Sequence, residues 1–221
     1  MPRDTRAIFF DLDDTLYPLE RFVWSGFDAV AAHLNRLFAV DPELAGTVLR
    51  QAFTTSGRGR ELQICLRYFD LPDALAPSLL NIMRSHQPIL DLPVVASQAL
   101  ASLANGWRIG IVTNGPVEIQ KRKVEALGLA PRVDTIVFAD GHAAKPAAEP
   151  FLEAARRLGV GPRRSVFVGN DPVCDVYGAW RLGMKTIYVA GRSATHPAAL
   201  MADASVRSLV EVPEIAERLV A

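Results

Sequence analysis

The chain places three carboxylates directly after a short apolar run, in the stretch Phe9-Phe10-Asp11-Leu12-Asp13-Asp14-Thr15-Leu16. The run Ala7–Phe10 has the length and composition of a buried strand, so the acidic residues stand at its carboxyl end. Side chains two positions apart on an extended chain point the same way, about 6.5–7 Å apart, so Asp11 and Asp13 project together. Two such carboxylates repel each other unless a cation or a basic side chain lies between them. By itself such a pair is more often a capped turn, so the other strand ends decide its meaning.

Later apolar runs also predict buried strands, and helical patterns alternate with them from Trp107 onward. The strands are Arg108–Val112, Thr135–Phe138, Ser165–Val168 and Thr186–Val189, and the helical patterns are Val117–Leu127, Ala148–Leu158 and Val173–Leu182. Helix C-caps are expected at Gly128, Gly159 and Gly183. This alternation indicates an α/β fold in which helices cover both faces of a parallel sheet. In such sheets the ligand binds beyond the carboxyl ends of the strands.

The segment that follows the acidic stretch breaks this alternation. It has no convincing strand and contains amphipathic helical patterns near residues 21–38, 42–54, 59–69 and 72–86. We therefore predict an all-helical inserted domain at residues 19–93, within a core domain made of residues 1–18 and 94–221. Pro88 and Pro93 mark the return to the core.

Polar residues follow the second and third predicted strands at the corresponding places. Thr113, Asn114 and Gly115 follow the second strand, and a hydroxyl, an amide and exposed N–H groups at a helix start suit an anionic oxygen. Lys145 follows the third strand and precedes a new helix. Each feature alone also fits a plain turn or an exposed loop lysine.

The fourth predicted strand leads into Asp171 and Asp175, which are four residues apart across a helix start. Asp171 also suits a helix cap, because Pro172 follows it at the first helical position. Carboxylates from two strand ends, one lysine and neutral donors together describe a site for magnesium and a phosphoryl group.

The order of these groups resembles the four motifs of the haloacid dehalogenase-like hydrolase superfamily, in its phosphatase branch. The motifs are Asp11-x-Asp13-x-Thr15, then Thr113, then Lys145, then Gly169-Asn170-Asp171-x-x-x-Asp175. The resemblance covers almost the whole chain outside the insertion, and the first motif is highly specific. It implies a Rossmann-like sheet with the first strand central. The insertion is similar to the helical cap of the superfamily's first cap class.

The resemblance also implies a role for each matching residue. Asp11 is expected to attack phosphorus and become an aspartyl phosphate, while Asp13 protonates the leaving oxygen and later takes a proton from water. Thr113, with the backbone of Asn114, is expected to bind a phosphoryl oxygen, and Lys145 to neutralise charge on the nucleophile and the transferring group. Mg²⁺ is expected to be held by Asp11, by the backbone carbonyl of Asp13 and by a carboxylate of the fourth motif.

The fourth motif departs from the pattern of many relatives, which carry Gly-Asp where this chain has Gly169-Asn170. An alignment on the glycine makes Asp175 the main metal carboxylate. An alignment on the Asp-x-x-x-Asp spacing gives that role to Asp171, with Asp175 in support. We expect a metal site under either alignment.

These features predict a Mg²⁺-dependent phosphatase of a small phosphorylated metabolite. A haloacid dehalogenase is the first alternative, although dehalogenases lack an acid/base at the position of Asp13 and need no metal. A phosphomutase and a non-catalytic phosphometabolite-binding protein are the others. A nucleophile is superfluous for binding alone, which counts against the last. A metabolite with a second anionic group could be bound by Arg58, Arg60 or Arg67 of the insertion, and a surface position suits each of them equally.

Composition sets the broader expectations. The 221 residues carry 24 basic and 24 acidic side chains, which gives no electrostatic reason to expect nucleic acid or a membrane as partner. The two cysteines, Cys65 and Cys174, match no metal spacing and favour a reduced, cytoplasmic protein. The oligomeric state, monomer or homodimer, is left open by the sequence. The basic run Gln120-Lys121-Arg122-Lys123 lies on a helical pattern, and we expect it to form a solvated helix face.

Overall fold

The computed structural model of the chain describes residues 6–56, 59–190 and 197–220. The chain divides into two compact units, one of which reaches Pro18 and resumes at Asp91, while the other comprises Leu19–Leu90. The sequence had placed the end of the insertion at Pro93, a few residues later. None of the described helices is both long enough and apolar enough to cross a lipid bilayer.

The unit Leu19–Leu90 is built from helices that share one apolar core. Its α-helices are α1 (Leu19–Phe38), α2 (Pro42–Ser56), α3 (Glu61–Tyr68) and α4 (Ala76–Ser85), with a 3₁₀ turn at Asp73–Leu75. On α1 the buried positions Phe27, Val30 and Leu34 recur at helical spacing and pack against Leu49 of α2 and Leu66 of α3. These buried side chains each contribute about 1.5–3 kcal/mol of transfer free energy. The helical character predicted for this segment is therefore present.

Two of the three candidate arginines of the insertion lie on its surface. Arg60 is exposed, Arg67 forms an exposed ion pair with Asp73, and Arg58 lies outside the described residues. The exposed pair stabilises this unit by at most about 1 kcal/mol.

The other unit contains a parallel sheet, which has six strands in the described part of the chain. They are β1 (Ala7–Phe10), β2 (Arg108–Asn114), β3 (Thr135–Ala139), β4 (Ser165–Gly169), β5 (Lys185–Val189) and β6 (Ala204–Val206), in the order β3-β2-β1-β4-β5-β6. Phe10 of β1 stands opposite Ile111 of β2 and Val168 of β4, so β1 is central. The α/β fold with a parallel Rossmann-like sheet is confirmed, and the carboxyl ends of β1, β2 and β4 adjoin each other.

Helices surround this sheet. They are α5 (Val94–Leu103), α6 (Val117–Ala126), α7 (Ala148–Leu158), α8 (Gly178–Trp180) and α9 (Val212–Val220), with a π-helical turn at Pro172–Tyr177. Short 3₁₀ turns lie at Ala130–Arg132, Gly141–Ala143, Pro162–Arg164, Pro197–Met201 and Leu209–Glu211. Gly159 ends α7 in the left-handed conformation, with φ 67°, and so provides the C-cap expected from the sequence.

The core beneath the central strands is closely packed. The rings of Phe151 on α7 and Phe167 on β4 meet edge to face with centroids 4.9 Å apart, and both are buried together with Phe9. A Cβ at Gly110 would lie 2.6 Å from a ring carbon of Phe9, so β2 requires glycine beside β1. This packing fixes the strand ends from which the functional loops begin.

Four elements differ from the sequence prediction. Strand β6 was not predicted, because three residues are too few to form a recognisable apolar pattern. Helices α5 and α9 were not predicted either. The helix expected at Val173–Leu182 is a π-helical turn that continues into the short helix α8.

Candidate active site

Side chains from four separated loops meet at the carboxyl edge of the sheet. They line a pocket of about 190 Å³ formed by Asp11, Asp13, Asn114, Lys145, Asn170, Asp171, Cys174 and Asp175. The amide of Asp11 donates to the carbonyl of Val168, 2.9 Å away, so β1 extends its pairing with β4 as far as the first acidic residue. The carboxylates predicted from the first and fourth motifs are thus brought together.

Lys145 lies at the centre of this cluster. Its Nζ is 2.7 Å from Oδ1 of Asp11 and 2.7 Å from Oδ1 of Asp175, and all three side chains are buried. Burial raises the pKa of Asp11 to about 7, because desolvation outweighs the attraction of Lys145 and the Asp175 carboxylate adds repulsion. Burial alone would lower the pKa of Lys145, but the two carboxylates outweigh it and raise that pKa. The lysine is a cation shared by two acids.

Gly169 makes room for Asp175. A Cβ on Gly169 would lie 2.3 Å from Oδ2 and 2.4 Å from Cγ of Asp175, distances that no side chain can occupy. Asp175 is carried by the π-helical turn, and its Oδ2 accepts the amide of Asp171 at 2.9 Å. π-helical turns are frequent at functional sites. The glycine and the turn together place this carboxylate against the end of β4.

Asp171 has a different environment. Its Oδ1 accepts the amides of Val173 and Cys174 at 2.8 and 2.7 Å, so its side chain caps the turn, as the sequence had allowed. Of the two carboxylates of the fourth motif, Asp175 therefore shares the lysine with Asp11. The neighbouring thiol of Cys174 has a pKa raised to about 11, chiefly by burial, which disfavours the nucleophilic thiolate.

Asp13 is held by three side chains. Its Oδ1 accepts the hydroxyl of Tyr17 at 2.6 Å, its Oδ2 accepts Nε2 of Gln120 at 3.0 Å, and Nζ of Lys123 lies 2.9 and 2.8 Å from the two oxygens. The solvated face expected for the run 120–123 is wrong for Gln120 and Lys123, which are 3% and 4% exposed. Gln120 lies four residues before the buried Val124 and Lys123 four before the buried Leu127, and this spacing was the signal that places them on the inner face of α6.

The loop after β2 is tied to the lysine loop by its amide side chain. Nδ2 of Asn114 donates to the carbonyl of Lys145 at 2.9 Å, and the amide of Lys145 donates to Oδ1 of Asn114 at 2.8 Å. Asn114 therefore fixes the position of Lys145 through its side chain. Thr113 is 1% exposed, and its Oγ1 has no hydrogen-bond partner among the described residues. A buried hydroxyl of this kind suits an anionic oxygen.

Two further residues were not assigned from the sequence. Oγ1 of Thr15 lies 3.3 Å from Oδ2 of Asp11 and 3.1 Å from Oδ1 of Asn170, and so links the first loop to the fourth. Asp14 adopts a positive φ of 58°, which turns the chain sharply after Asp13. The amide of Asp14 donates to the carbonyl of Tyr17 at 2.9 Å and closes this turn.

The oxygen ligands available at the pocket fit Mg²⁺. In the described ranges no three side chains of His, Cys, Asp and Glu converge on one point, but the carboxylates of Asp11 and Asp175 do meet at Lys145. Mg²⁺ in proteins is commonly bound by one or two carboxylates and keeps several waters, so two acids and a backbone carbonyl are an adequate set. The unpartnered Thr113 hydroxyl supplies a donor for an oxyanion beside them.

Comparisons with known proteins agree with this chemistry. A family model described as a haloacid dehalogenase-like hydrolase matches residues 5–183. The chain is 31% identical over 202 residues to the glyceraldehyde 3-phosphate phosphatase of Methanothermobacter thermautotrophicus, which covers 83% of this chain and 85% of that protein. It is 28% identical over 189 residues to the N-acetylmuramic acid 6-phosphate phosphatase of Pseudomonas aeruginosa, with coverage of 83% and 81%. A solved phosphatase from Thermococcus onnurineus superposes with a TM-score of 0.63 at 27% identity and covers 96% of this chain and 97% of its own.

Proposed function

The chain belongs to the haloacid dehalogenase-like hydrolases and is a phosphatase of that family, and we propose that it cleaves a small phosphorylated metabolite with Mg²⁺ through a phosphorylated Asp11. The observation that carries this proposal is the position of Lys145, 2.7 Å from both Asp11 and Asp175. A carboxylate attacks an anionic phosphate only where positive charge offsets the repulsion. The carboxyl edge of this sheet supplies that charge beside the nucleophile.

The first half-reaction transfers the phosphoryl group to the protein. An oxygen of Asp11 bonds to phosphorus while the ester P–O bond breaks, and Asp13 gives its proton to the departing oxygen. The hydroxyl of Thr113 and the backbone amide of Asn114 bind phosphoryl oxygens, and Lys145 offsets their charge. Bound Mg²⁺, held by Asp11, the backbone carbonyl of Asp13 and Asp175, supplies further positive charge at this place. Asp171 supports the metal carboxylate by capping the turn that carries it.

The second half-reaction restores the enzyme. Asp13, now a carboxylate, takes a proton from a water molecule whose oxygen bonds to phosphorus. The bond between phosphorus and Asp11 breaks, inorganic phosphate leaves and both aspartates return to their starting states. Because one residue serves as acid and then as base, the carboxyl of Asp13 has to face the reacting oxygen in both steps.

The proposed substrate class follows from the size of the site and from the relatives. The pocket of about 190 Å³ accommodates a phosphoryl group with a short carbon skeleton. Named relatives act on glyceraldehyde 3-phosphate and N-acetylmuramic acid 6-phosphate, both of which are phosphate monoesters of small molecules. Solved dehalogenases also superpose on the chain, but at 24% identity or less this likeness concerns the fold alone.

Hydrolysis of 4-nitrophenyl phosphate tests the reaction class. We expect turnover to require Mg²⁺, to stop on chelation with EDTA, and to fall by at least about 10⁴-fold in Asp11→Asn, because the nucleophile is lost. In Asp13→Asn, acid-quenched protein should carry a phosphoryl group on Asp11, detectable by mass spectrometry. Metal-independent turnover would contradict the proposal. Tight binding of phosphorylated metabolites without phosphate release would instead favour a binding protein.

A further inference from the structure

The carboxylate of Asp13 accepts hydrogen bonds from two side chains of α6, a helix outside the four motifs. Lys123 on α6 bridges both of its oxygens at 2.9 and 2.8 Å, and Gln120, one turn earlier, donates to Oδ2 at 3.0 Å. From this geometry we infer that Lys123 and Gln120 are positioning residues, which orient the carboxyl of Asp13 for proton transfer. The inference rests on the proposed function, because it gives Asp13 the role of acid and base.

The burial of Lys123 distinguishes this contact from an ordinary surface ion pair. Its side chain is 4% exposed and that of Asp13 is 20% exposed, whereas Lys121 on the same helix forms an ion pair with Glu118 in which both side chains are more than half exposed. A buried ion pair adds little stability compared with apolar residues of the same size. Stability is therefore a weak reason for lysine at this place, and orientation of a reacting group is a stronger one.

Gln120 ties the same carboxylate to the loop after β2. Its Nε2 donates both to Asp13 and to the carbonyl of Asn114, the latter at 2.5 Å. The backbone of Gly115 permits this approach, since a Cβ there would lie 3.0 Å from Nε2 of Gln120. Asn114 in turn holds the loop of Lys145 through paired amide bonds. The acid/base and the catalytic lysine are thus positioned by one connected set of hydrogen bonds.

Orientation matters to both half-reactions. The proton of Asp13 moves to the ester oxygen as its bond to phosphorus breaks, and a proton later returns to Asp13 from water. Lys123 keeps its own protons throughout and serves only to hold the carboxyl. Without Lys123, Asp13 retains Tyr17 on Oδ1 and Gln120 on Oδ2 but loses the one donor that bridges both oxygens, so its carboxyl is held less firmly toward the reacting oxygen. A misplacement of about 1 Å is enough to cost about 10²-fold in rate.

The kinetic experiment compares two aryl phosphates in Mg²⁺ buffer through kcat/KM, which reports the steps up to transfer to Asp11. Phenyl phosphate needs a proton on its leaving group, whereas 2,4-dinitrophenyl phosphate releases a stable anion. We expect Lys123→Met to lower kcat/KM for phenyl phosphate about 10–100-fold and to change that for 2,4-dinitrophenyl phosphate less than about threefold. Lys123→Arg retains a cation with two donors and should recover most of the loss.

Two further variants complete the experiment. Lys121→Met removes an exposed lysine from the same helix and should leave kcat/KM unchanged for both substrates. Gln120→Leu removes one partner of Asp13 without stranding a charge. It should show the same selective loss at smaller size, and it decides the matter if Lys123→Met does not fold.

A second measurement does not depend on activity. Crystal structures of metal-free wild type and Lys123→Met should show the same backbone, with the Asp13 carboxylate displaced or split between conformers in the variant. Equal losses on both aryl phosphates, or no loss, would overturn the inference, as would an Asp13 carboxylate that keeps its wild-type orientation. If the wild type shows no Mg²⁺-dependent phosphatase activity, the proposed function fails, and the crystallographic comparison still decides whether Lys123 orients the Asp13 carboxylate.

Discussion

The two ends of the sheet carry similar charged side chains in opposite environments. At the carboxyl ends, Lys145 is buried with Asp11 and Asp175. At the amino ends, the ion pairs Arg108–Asp134 and Arg6–Glu217 are partly exposed, with side-chain exposures between 28% and 59%. Exposed pairs of this kind stabilise a protein by about 0–1 kcal/mol, whereas buried charges are expensive to desolvate. The carboxyl ends, where burying charge costs the most desolvation free energy, are the ends where we place the reaction.

Between the two ends of the sheet, cavity size would have favoured the wrong one. The pocket at the amino ends, lined in part by Arg6, Trp107 and Arg132, measures about 410 Å³, against about 190 Å³ at the carboxyl ends. In the larger pocket the Arg6 guanidinium lies 4.5 Å from the centre of the Trp107 ring, and Arg132 donates to Ser97. Both arginine side chains are therefore already in contact with other groups of the protein. Burial and convergence of charge, rather than volume, indicate the reactive site.

Among the changes considered at the two ends of the sheet, Gly169→Ala is expected to have the largest effect on activity. The added Cβ would overlap Asp175, so this carboxylate must leave Lys145 and the end of β4. We predict a loss of about 10²-fold in kcat/KM for 4-nitrophenyl phosphate and a weaker dependence on Mg²⁺, measured by metal titration of the rate. The matched control is Gly161→Ala, where a Cβ meets no atom within 4 Å. Equal activity in both variants would contradict the assigned role of Asp175.

Asp11→Asn, at the carboxyl ends, is expected to have an intermediate effect, which concerns the unfolding free energy and its dependence on pH. The pKa of Asp11 is about 7 in the folded protein, above its ordinary value of 3.8, so between about pH 4 and pH 7 the folded state retains a proton that the unfolded state has lost. The unfolding free energy of the metal-free protein therefore falls as pH rises through this window. Asp11→Asn removes the free-energy cost of ionising this buried carboxyl. The variant should therefore be more stable than wild type by about 1–3 kcal/mol at pH 8.

Urea denaturation in EDTA at several pH values measures this difference. At pH 4.5 Asp11 is protonated and resembles asparagine, so the two proteins should then differ little. A stability difference that does not change with pH would show that ionisation of Asp11 is not its cause.

Arg108→Ala, at the amino ends, is expected to have the smallest effect. The guanidinium is 59% exposed, and its partner Asp134 keeps a hydrogen bond from the amide of Ile109 at 2.8 Å. We predict a loss of less than about 1 kcal/mol in unfolding free energy and no change in kcat/KM for 4-nitrophenyl phosphate. A large loss of activity would mean that the two ends of the sheet are coupled.

Most of the fold could be predicted from the sequence because its central strands are apolar throughout and end in distinctive residues. β1 and β4 are buried at every position, and this pattern has few other interpretations. β6 has three residues and gave no such pattern. The π-helical turn at Pro172–Tyr177 was also beyond prediction, because six residues are too few to distinguish its i→i+5 spacing from that of an α-helix and because it accompanies the fit of Asp175 against Gly169.

The candidate site was predictable because complementary groups follow several strand ends. Asp11, Asp13, Lys145 and Asp175 lie in loops beyond the carboxyl ends of β1, β3 and β4, where ligands bind in parallel sheets. Gln120 and Lys123 were assigned to solvent because charge on a helix is usually exposed. The rule fails here because Asp13 lies opposite that face and compensates the buried ammonium.

The central position of β1 also orders the events of biosynthesis. Its neighbours in the sheet begin at Arg108 and Ser165, and Asp175 follows only after β4. Asp11, the nucleophile that we propose, is therefore translated long before the strands that flank β1. Lys145 and Asp175, on which we propose that the reactivity of Asp11 depends, follow it by 134 and 164 positions, so the charge cluster can assemble only after β4 and the turn beyond it have been made.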